Sequence, residues 1–141
     1  CKENYEQMLE MYLKQIFIML QRSFLSQLKT NNTYVIEEID KATLYFNEHY
    51  SENISIDKYA QNNHVSVSWF IRNFKQYTGF TPMQYILSKR LYNAEILLQN
   101  TDYNVTEIAE IIGYDNPLYF SRIFKKAKGI SPSEYRKNIK P

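Results

Sequence analysis

Arg72 and Lys75 stand three residues apart, and Arg122 and Lys125 repeat the pair fifty residues later. An arginine held on a rigid scaffold can read guanine through two hydrogen bonds, and a lysine can neutralise a phosphate. A short basic run on its own is an ordinary solvated helix face, so the surrounding residues must decide. Chemistry of other kinds finds little material. Cys1 is the one cysteine, and His49 and His64 are the two histidines, so neither an intrachain disulfide nor a Cys/His metal cage can assemble. Nothing pairs a nucleophile with a base or forms a phosphate loop. No cofactor is therefore expected, and an enzyme is the weakest reading.

The basic pairs belong to a longer repeat. Phe70, Arg72, Phe74, Lys75, Gly79, Pro82 and Tyr85 recur at an offset of 50 as Phe120, Arg122, Phe124, Lys125, Gly129, Pro132 and Tyr135. Upstream the offset becomes 49, with Ala60 answering Ala109 and Tyr59 answering Ile108. A one-residue insertion in a connecting turn accounts for the change. Two copies of one supersecondary unit follow.

Each copy reads as helix, short turn, helix and stop. Ser55 caps a helix over 56–63, and Ser66 caps a second one reaching about Tyr77. Asn104 to Glu107 has capping-box form and opens a helix to Ile112, and a second helix runs from about Asn116 to Lys128. Gly79 and Gly129 suit the left-handed residue beyond a helix end, and Gly113 the turn that His64 makes in the first copy. Thr81-Pro82-Met83-Gln84 opens a long helix to about Leu98, with Leu87, Leu91, Ala94 and Leu98 on one stripe. Ser131-Pro132-Ser133-Glu134 opens a short one to about Lys137. A further helix, about Val35 to His49, covers the first copy with Ile36, Ile39, Thr43 and Phe46.

At about 100° per residue, Val67, Phe70, Phe74 and Tyr77 share the core face of the first copy's second helix. Ser68, Arg72 and Lys75 then face outward, flanked by Trp69, Ile71 and Gln76. In the second copy Pro117, Phe120 and Phe124 are core, and Leu118, Ser121, Arg122 and Lys125 point out. Trp69 is expected either to pack on sugar-phosphate or to cover its own helix. Two helices joined by a short turn, the second presenting arginine and lysine away from the core, describe a helix-turn-helix for the DNA major groove.

Composition agrees with an all-α fold: the 141 residues are 44% hydrophobic and include only 3 Gly and 4 Pro. The net charge of +2 is unevenly placed, with 4 basic against 6 acidic residues over 34–80 and 9 against 6 over 81–141. Arg122, Lys125, Lys126 and Lys128 form a candidate phosphate-facing strip. The longest apolar run, Ile16 to Leu20, is far short of the roughly 20 residues of a membrane span, so no membrane partner is expected.

From about Ile36 to Lys137 the chain resembles the DNA-binding domain of the AraC/XylS transcription regulators. The resemblance rests on Ala60, Ser66, Phe70-Ile71-Arg72-Asn73-Phe74-Lys75 and Gly79, then Tyr85, Arg90-Leu91, Ala94 and Leu97-Leu98. It continues through Ile108-Ala109, Gly113-Tyr114 and Tyr119-Phe120-Ser121-Arg122-Ile123-Phe124-Lys125-Lys126, closing on Gly129-Ile130-Ser131-Pro132 and Tyr135-Arg136. It implies a seven-helix, two-subdomain fold on two adjacent major grooves. It also implies base contacts by Ser68, Ile71 and Arg72, and by Asn116, Leu118, Ser121 and Arg122. Ile71 and Leu118 depart from the family pattern, where the first position is small or polar and the second serine; both suit a thymine methyl.

Residues 5–28 carry a further helical pattern, Tyr5, Leu9, Tyr12, Ile16, Leu20, Phe24 and Leu28, with Met8, Leu13, Phe17 and Met19 on other faces. This surplus points to a helix that packs on its own domain and also on a second subunit or another domain. Thr30 to Thr33 reads as a hinge. The expected organisation is a linker or dimerisation helix over 1–33, a first helix-turn-helix subdomain over 34–80, a connecting helix over 81–100 and a second subdomain over 101–141. Because the chain begins Cys1-Lys2-Glu3 without Met, it reads as part of a longer protein with an upstream sensor domain. The expected function is cytoplasmic transcription regulation by sequence-specific binding of double-stranded promoter DNA, with RNA polymerase a candidate partner and a homodimer through 5–28. The competing class is a helical protein–protein interaction module, which would show no salt-dependent oligonucleotide binding.

Overall fold

The computed structural model describes residues 2–25 and 33–140, with side chains from residue 9 to 24 in the first stretch. The described residues form eight helices and no strand: α1 (Lys2–Leu25), α2 (Thr33–His49), α3 (Ile56–Asn62), α4 (Val67–Thr78), α5 (Pro82–Asn100), α6 (Val105–Ile112), α7 (Pro117–Lys128) and α8 (Pro132–Ile139). The chain divides into two compact units. The first comprises Cys1–Glu48 and Ser55–Tyr85, the second His49–Ile54 and Ile86–Pro141. The opening turn of α5 belongs to the first unit and its remainder to the second.

The first unit is built around aromatic rings. Phe46 of α2, Tyr59 of α3, Phe70 and Phe74 of α4 and Tyr85 of α5 are all buried. Phe46 lies 5.2 Å from Tyr59 and 5.6 Å from Phe74, ring centre to ring centre, and Phe74 meets Tyr85 edge-on at 5.5 Å. Edge-to-face contacts of this kind favour one arrangement of rings over others. Burial pushes the Tyr59 hydroxyl up to about 12, and the buried Tyr85 hydroxyl donates to Asn47 at 2.8 Å. Ile39 and Ala42 complete the α2 contribution, while Ile36 and Thr43 are half-buried.

The second unit repeats the plan with more aliphatic material. Leu91, Ala94 and Leu98 of α5 pack with Ile108, Ala109 and Ile112 of α6 and Phe120 and Phe124 of α7. Tyr135 stands edge-on to Phe124 at 5.5 Å and 81°, matching Tyr85 on Phe74 at 5.5 Å and 80°. The repeat seen in the sequence is therefore a repeat of packing geometry.

Local signals placed the elements closely. Ser66 Oγ accepts from the Trp69 N–H at 3.2 Å to start α4, and Asn104 with Glu107 closes a reciprocal capping box at α6. Thr81 and Gln84 bond each other's backbone N–H at the start of α5, as Ser131 and Glu134 do at α8. Such caps satisfy amides that have no partner inside the helix. His64 has φ 58° and Gly113 φ 100°. In both turns the next residue's N–H reaches back to the alanine of the preceding helix: Val65 to Ala60 and Tyr114 to Ala109. Gly113 is constrained twice, because a Cβ there would also sit 2.2 Å from the Ser51 carbonyl oxygen.

α1 departs from expectation. Its apolar stripe was expected along Tyr5, Leu9, Tyr12, Ile16, Leu20, Phe24 and Leu28. Instead Met11, Tyr12, Gln15, Ile18 and Arg22 form the half-buried side, and Leu9, Leu13, Ile16, Phe17, Met19, Leu20 and Phe24 are exposed. Part of the reason is that polar groups share the anchoring with Met11, Tyr12 and Ile18. Arg22 pairs with Asp40 of α2 and lies 5.2 Å from the Tyr77 ring of α4, and Ile18 sits over Gly79. A hydrophobic period reveals poorly a face that includes Gln15 and Arg22. Thr33, expected in the hinge, opens α2; Thr30 to Asn32, Leu28 and the side chains of Tyr5 and Met8 lie outside the described residues.

Candidate nucleic-acid interface

α4 and α7 are the second helices of the two copies, and each is held by its phenylalanines. Phe70 is 1% exposed and Phe74, Phe120 and Phe124 are 0% exposed. That burial fixes the roll of each helix, because residues two and five positions from the first phenylalanine must then face away. Ser68, Ile71, Arg72, Lys75 and Gln76 of α4 are accordingly exposed, as are Leu118, Arg122, Lys125 and Lys126 of α7. Leu118 is 70% exposed and Ile71 37%. An apolar side chain left as open as Leu118 in the first turn of α7, a helix that also carries Arg122, Lys125 and Lys126, suits a partner that offers methyl groups as well as charge.

Three candidate residues sit less openly. Trp69 is half-buried, its ring 6.3 Å from that of Tyr34 on α2. Ser121 is half-buried on the flank of α7. Asn116 is exposed, but its Oδ1 caps α7 by accepting from the Leu118 and Tyr119 N–H groups at 3.0 and 3.2 Å. The cap leaves the amide NH2 as the group with which Asn116 could meet a base.

The basic strip is shorter than the sequence suggests. Lys128 pairs with Glu95 of α5, with the two side chains only 12% and 9% exposed. It serves the fold, leaving Arg122, Lys125 and Lys126 on the open face. Lys125 also lies near Glu134. The Ser131 backbone N–H, above all, and secondarily Lys125 and Lys137 hold the Glu134 carboxyl below its ordinary range.

Two arginines quoted in the resemblance without a role turn out to position backbone. Arg90 donates from Nε to the Tyr50 carbonyl at 2.6 Å and from Nη2 to the Glu52 carbonyl at 2.7 Å, while lying 4.9 Å from the Tyr114 ring. It thereby ties residues 49–54 into the second unit. Arg136 reaches the Leu98 and Thr101 carbonyls at the end of α5, both at 3.3 Å. No side-chain pattern could have disclosed these partners, since their acceptors are main-chain carbonyls. Among the described residues no group of His, Cys, Asp or Glu is arranged to hold a metal ion, and no helix is long and apolar enough to cross a membrane.

Comparison with known proteins agrees with this geometry. A family model described as a helix-turn-helix domain matches residues 59–138. The lactose operon transcription activator of Staphylococcus xylosus is 33% identical over 125 residues, covering 89% of this chain and 45% of that protein. The chain spans 34–45% of the length of the curated relatives it matches. Among solved structures, the C-terminal domain of AraT, a response regulator from Geobacillus stearothermophilus, superposes with a TM-score of 0.69 at 34% identity, covering 72% of this chain and 84% of that one. The DNA-binding domain of the global transcriptional factor AdpA, solved with a target DNA, gives 0.67 at 29% identity, covering 71% and 90%. The family match embraces both copies of the repeat and the two helices whose outward faces carry Arg72 and Arg122: the chain belongs to the AraC/XylS helix-turn-helix family of DNA-binding transcription regulators.

Proposed function

We propose that this chain reads promoter DNA in two adjacent major grooves, with α4 in one and α7 in the next, about one helical turn or roughly 34 Å along the duplex. The observation that carries the reading is the doubled arrangement of an exposed Arg and Lys three apart, each opposite two buried phenylalanines. Arg72 and Arg122 read guanine, Ser68, Ser121 and Asn116 make shorter polar contacts, and Ile71 and Leu118 meet thymine methyls. Lys75 and Lys125 neutralise phosphates, and Trp69 packs its exposed edge against sugar-phosphate.

In the whole protein this reader acts in the cytoplasm, by binding and without catalysis, under a sensor domain upstream of it. It activates transcription, as the Staphylococcus relative's name states for that protein, and RNA polymerase is its partner at the promoter. The open face of α1 supports pairing of two copies through residues 5–28. Selection from random duplex DNA followed by salt titration tests the DNA reading. A recovered site with two half-elements about ten base pairs apart, bound with a steep salt slope, is the expected result. A chain that binds all duplexes alike would overturn the sequence-specific reading, and one that binds none would instead fit the helical protein–protein interaction module.

A further inference from the structure

α7 carries two exposed side chains that the base contacts leave unused. Tyr119 is 54% exposed, and Lys126, just under two turns later, is exposed as well. Seven residues at about 100° each bring the two within about 20° of one another, about 10.5 Å apart along the axis. Leu118 and Arg122 bracket the direction opposite the buried Phe120, and Tyr119 and Lys126 lie about 60–80° round from it on one flank. Among the described residues the Tyr119 hydroxyl makes no hydrogen bond and the Lys126 ammonium no ion pair. The Tyr119 ring is nevertheless held in place. It meets Tyr114 edge-on at 5.9 Å, and Tyr114 in turn stacks on Phe120 at 5.9 Å. A buttressed ring delivers its hydroxyl with less loss of side-chain freedom on binding.

The repeat gives this flank a counterpart. Tyr119 stands fifty residues after Trp69, and Lys126 fifty after Gln76. Trp69 is half-buried with its ring 6.3 Å from that of Tyr34. Each copy thus sets an aromatic ring, backed by a tyrosine, on the same flank of its second helix. The second copy adds a cation where the first has glutamine.

An α-helix about 10–12 Å across fills a major groove about 12 Å wide. Side chains at the centre of its outward face then meet base edges, and those on its flanks meet the sugar-phosphate walls. We propose that Tyr119 and Lys126 clamp one wall of the groove that α7 enters. The Tyr119 hydroxyl donates to one phosphate oxygen, and the Lys126 ammonium neutralises a phosphate farther along the same strand. The clamp rests on the DNA reading proposed above. It fixes the register of Arg122 and carries no base preference of its own, because every nucleotide offers the same phosphate.

The test titrates the whole chain, Tyr119→Phe and Lys126→Gln on a duplex selected by the unmodified chain, at several salt concentrations. The titrations are repeated on the same duplex carrying one neutral methylphosphonate at each position in turn. Tyr119→Phe keeps the ring against Tyr114 and removes only the hydroxyl; it should bind about tenfold more weakly with unchanged base preference. The unmodified chain should lose affinity at one methylphosphonate position to which Tyr119→Phe is indifferent, a signature that a merely structural role of Tyr119 does not produce. Lys126→Gln should shallow the salt slope by about one. Three results would each overturn the clamp: Tyr119→Phe binding as tightly as the unmodified chain, the two responding alike at every methylphosphonate, or an unchanged slope for Lys126→Gln. The DNA reading stands through all three if Arg122→Ala still relaxes base preference. An unmodified chain that selects no duplex defeats the DNA reading and the clamp together.

Discussion

Arg72 and Arg122 are the candidate base contacts, exposed on α4 and α7 with no hydrogen bond or ion pair among the described residues. Arg72→Ala and Arg122→Ala are each expected to cost on the order of 1–3 kcal/mol of specific binding and to relax preference at one base pair. Lys125→Ala should weaken binding evenly across sequences and shallow the salt slope by about one. Lys128→Ala should leave that slope unchanged, because Lys128 is already paired with Glu95. Titrations at several salt concentrations on one selected operator separate these outcomes, and equal slopes for the two lysine variants would place Lys128 on the DNA after all. Tyr59 is diagnostic in another way. Its folded-state pKa of about 12 lies above the ordinary 10, so the fold favours the neutral hydroxyl. That contribution is fully present below about pH 10 and is lost as pH rises through 12, a loss of about 2–3 kcal/mol. Denaturation curves between pH 9 and pH 12 should decline less steeply for Tyr59→Phe than for the unmodified chain. The remaining decline reflects Tyr85, Tyr114 and Tyr135, whose hydroxyls burial also pushes up.

The helices depend on a few residues that set their roll and their ends. Phe70, Phe74, Phe120 and Phe124 fix which way α4 and α7 face, and truncating any of them to alanine should destabilise by roughly 3–5 kcal/mol. Thermal melts with a negligible loss at all four would contradict both the core and the outward placement of Arg72 and Arg122. Glu95→Ala should cost about 3 kcal/mol, since it strands the nearly buried Lys128 ammonium; a urea titration reads this directly. Most element boundaries were legible because their determinants are local. Ser66, Asn104 and Ser131 cap through their own side chains, and His64 and Gly113 mark their turns by backbone preference. The face of α1 was not legible, because its anchors Gln15 and Arg22 act through partners far along the chain.

For the whole molecule, the exposed Leu9, Leu13, Ile16, Phe17, Leu20 and Phe24 bear on association. Joining two readers raises their effective concentration at paired sites without a new base contact. Replacing Ile16 and Leu20 with Glu should yield a monomer that still binds a single site, as sedimentation across micromolar concentrations would reveal. If the unmodified chain stays monomeric throughout that range, pairing through α1 is wrong. What the sequence by itself determined is the doubled helix-turn-helix plan, since a repeat of Phe, Arg, Phe, Lys, Gly, Pro and Tyr writes core and surface into one helical period. Only the tertiary structure decided which cations remain available and which serve the fold. Lys128 and Arg22 look like any other basic residue in a list, and their pairing with Glu95 and Asp40 depends on contacts 33 and 18 residues apart. Helical periodicity records how a segment faces its neighbours within a few turns; ion pairs and main-chain acceptors at long range leave no such period, so they emerge only once the helices have packed.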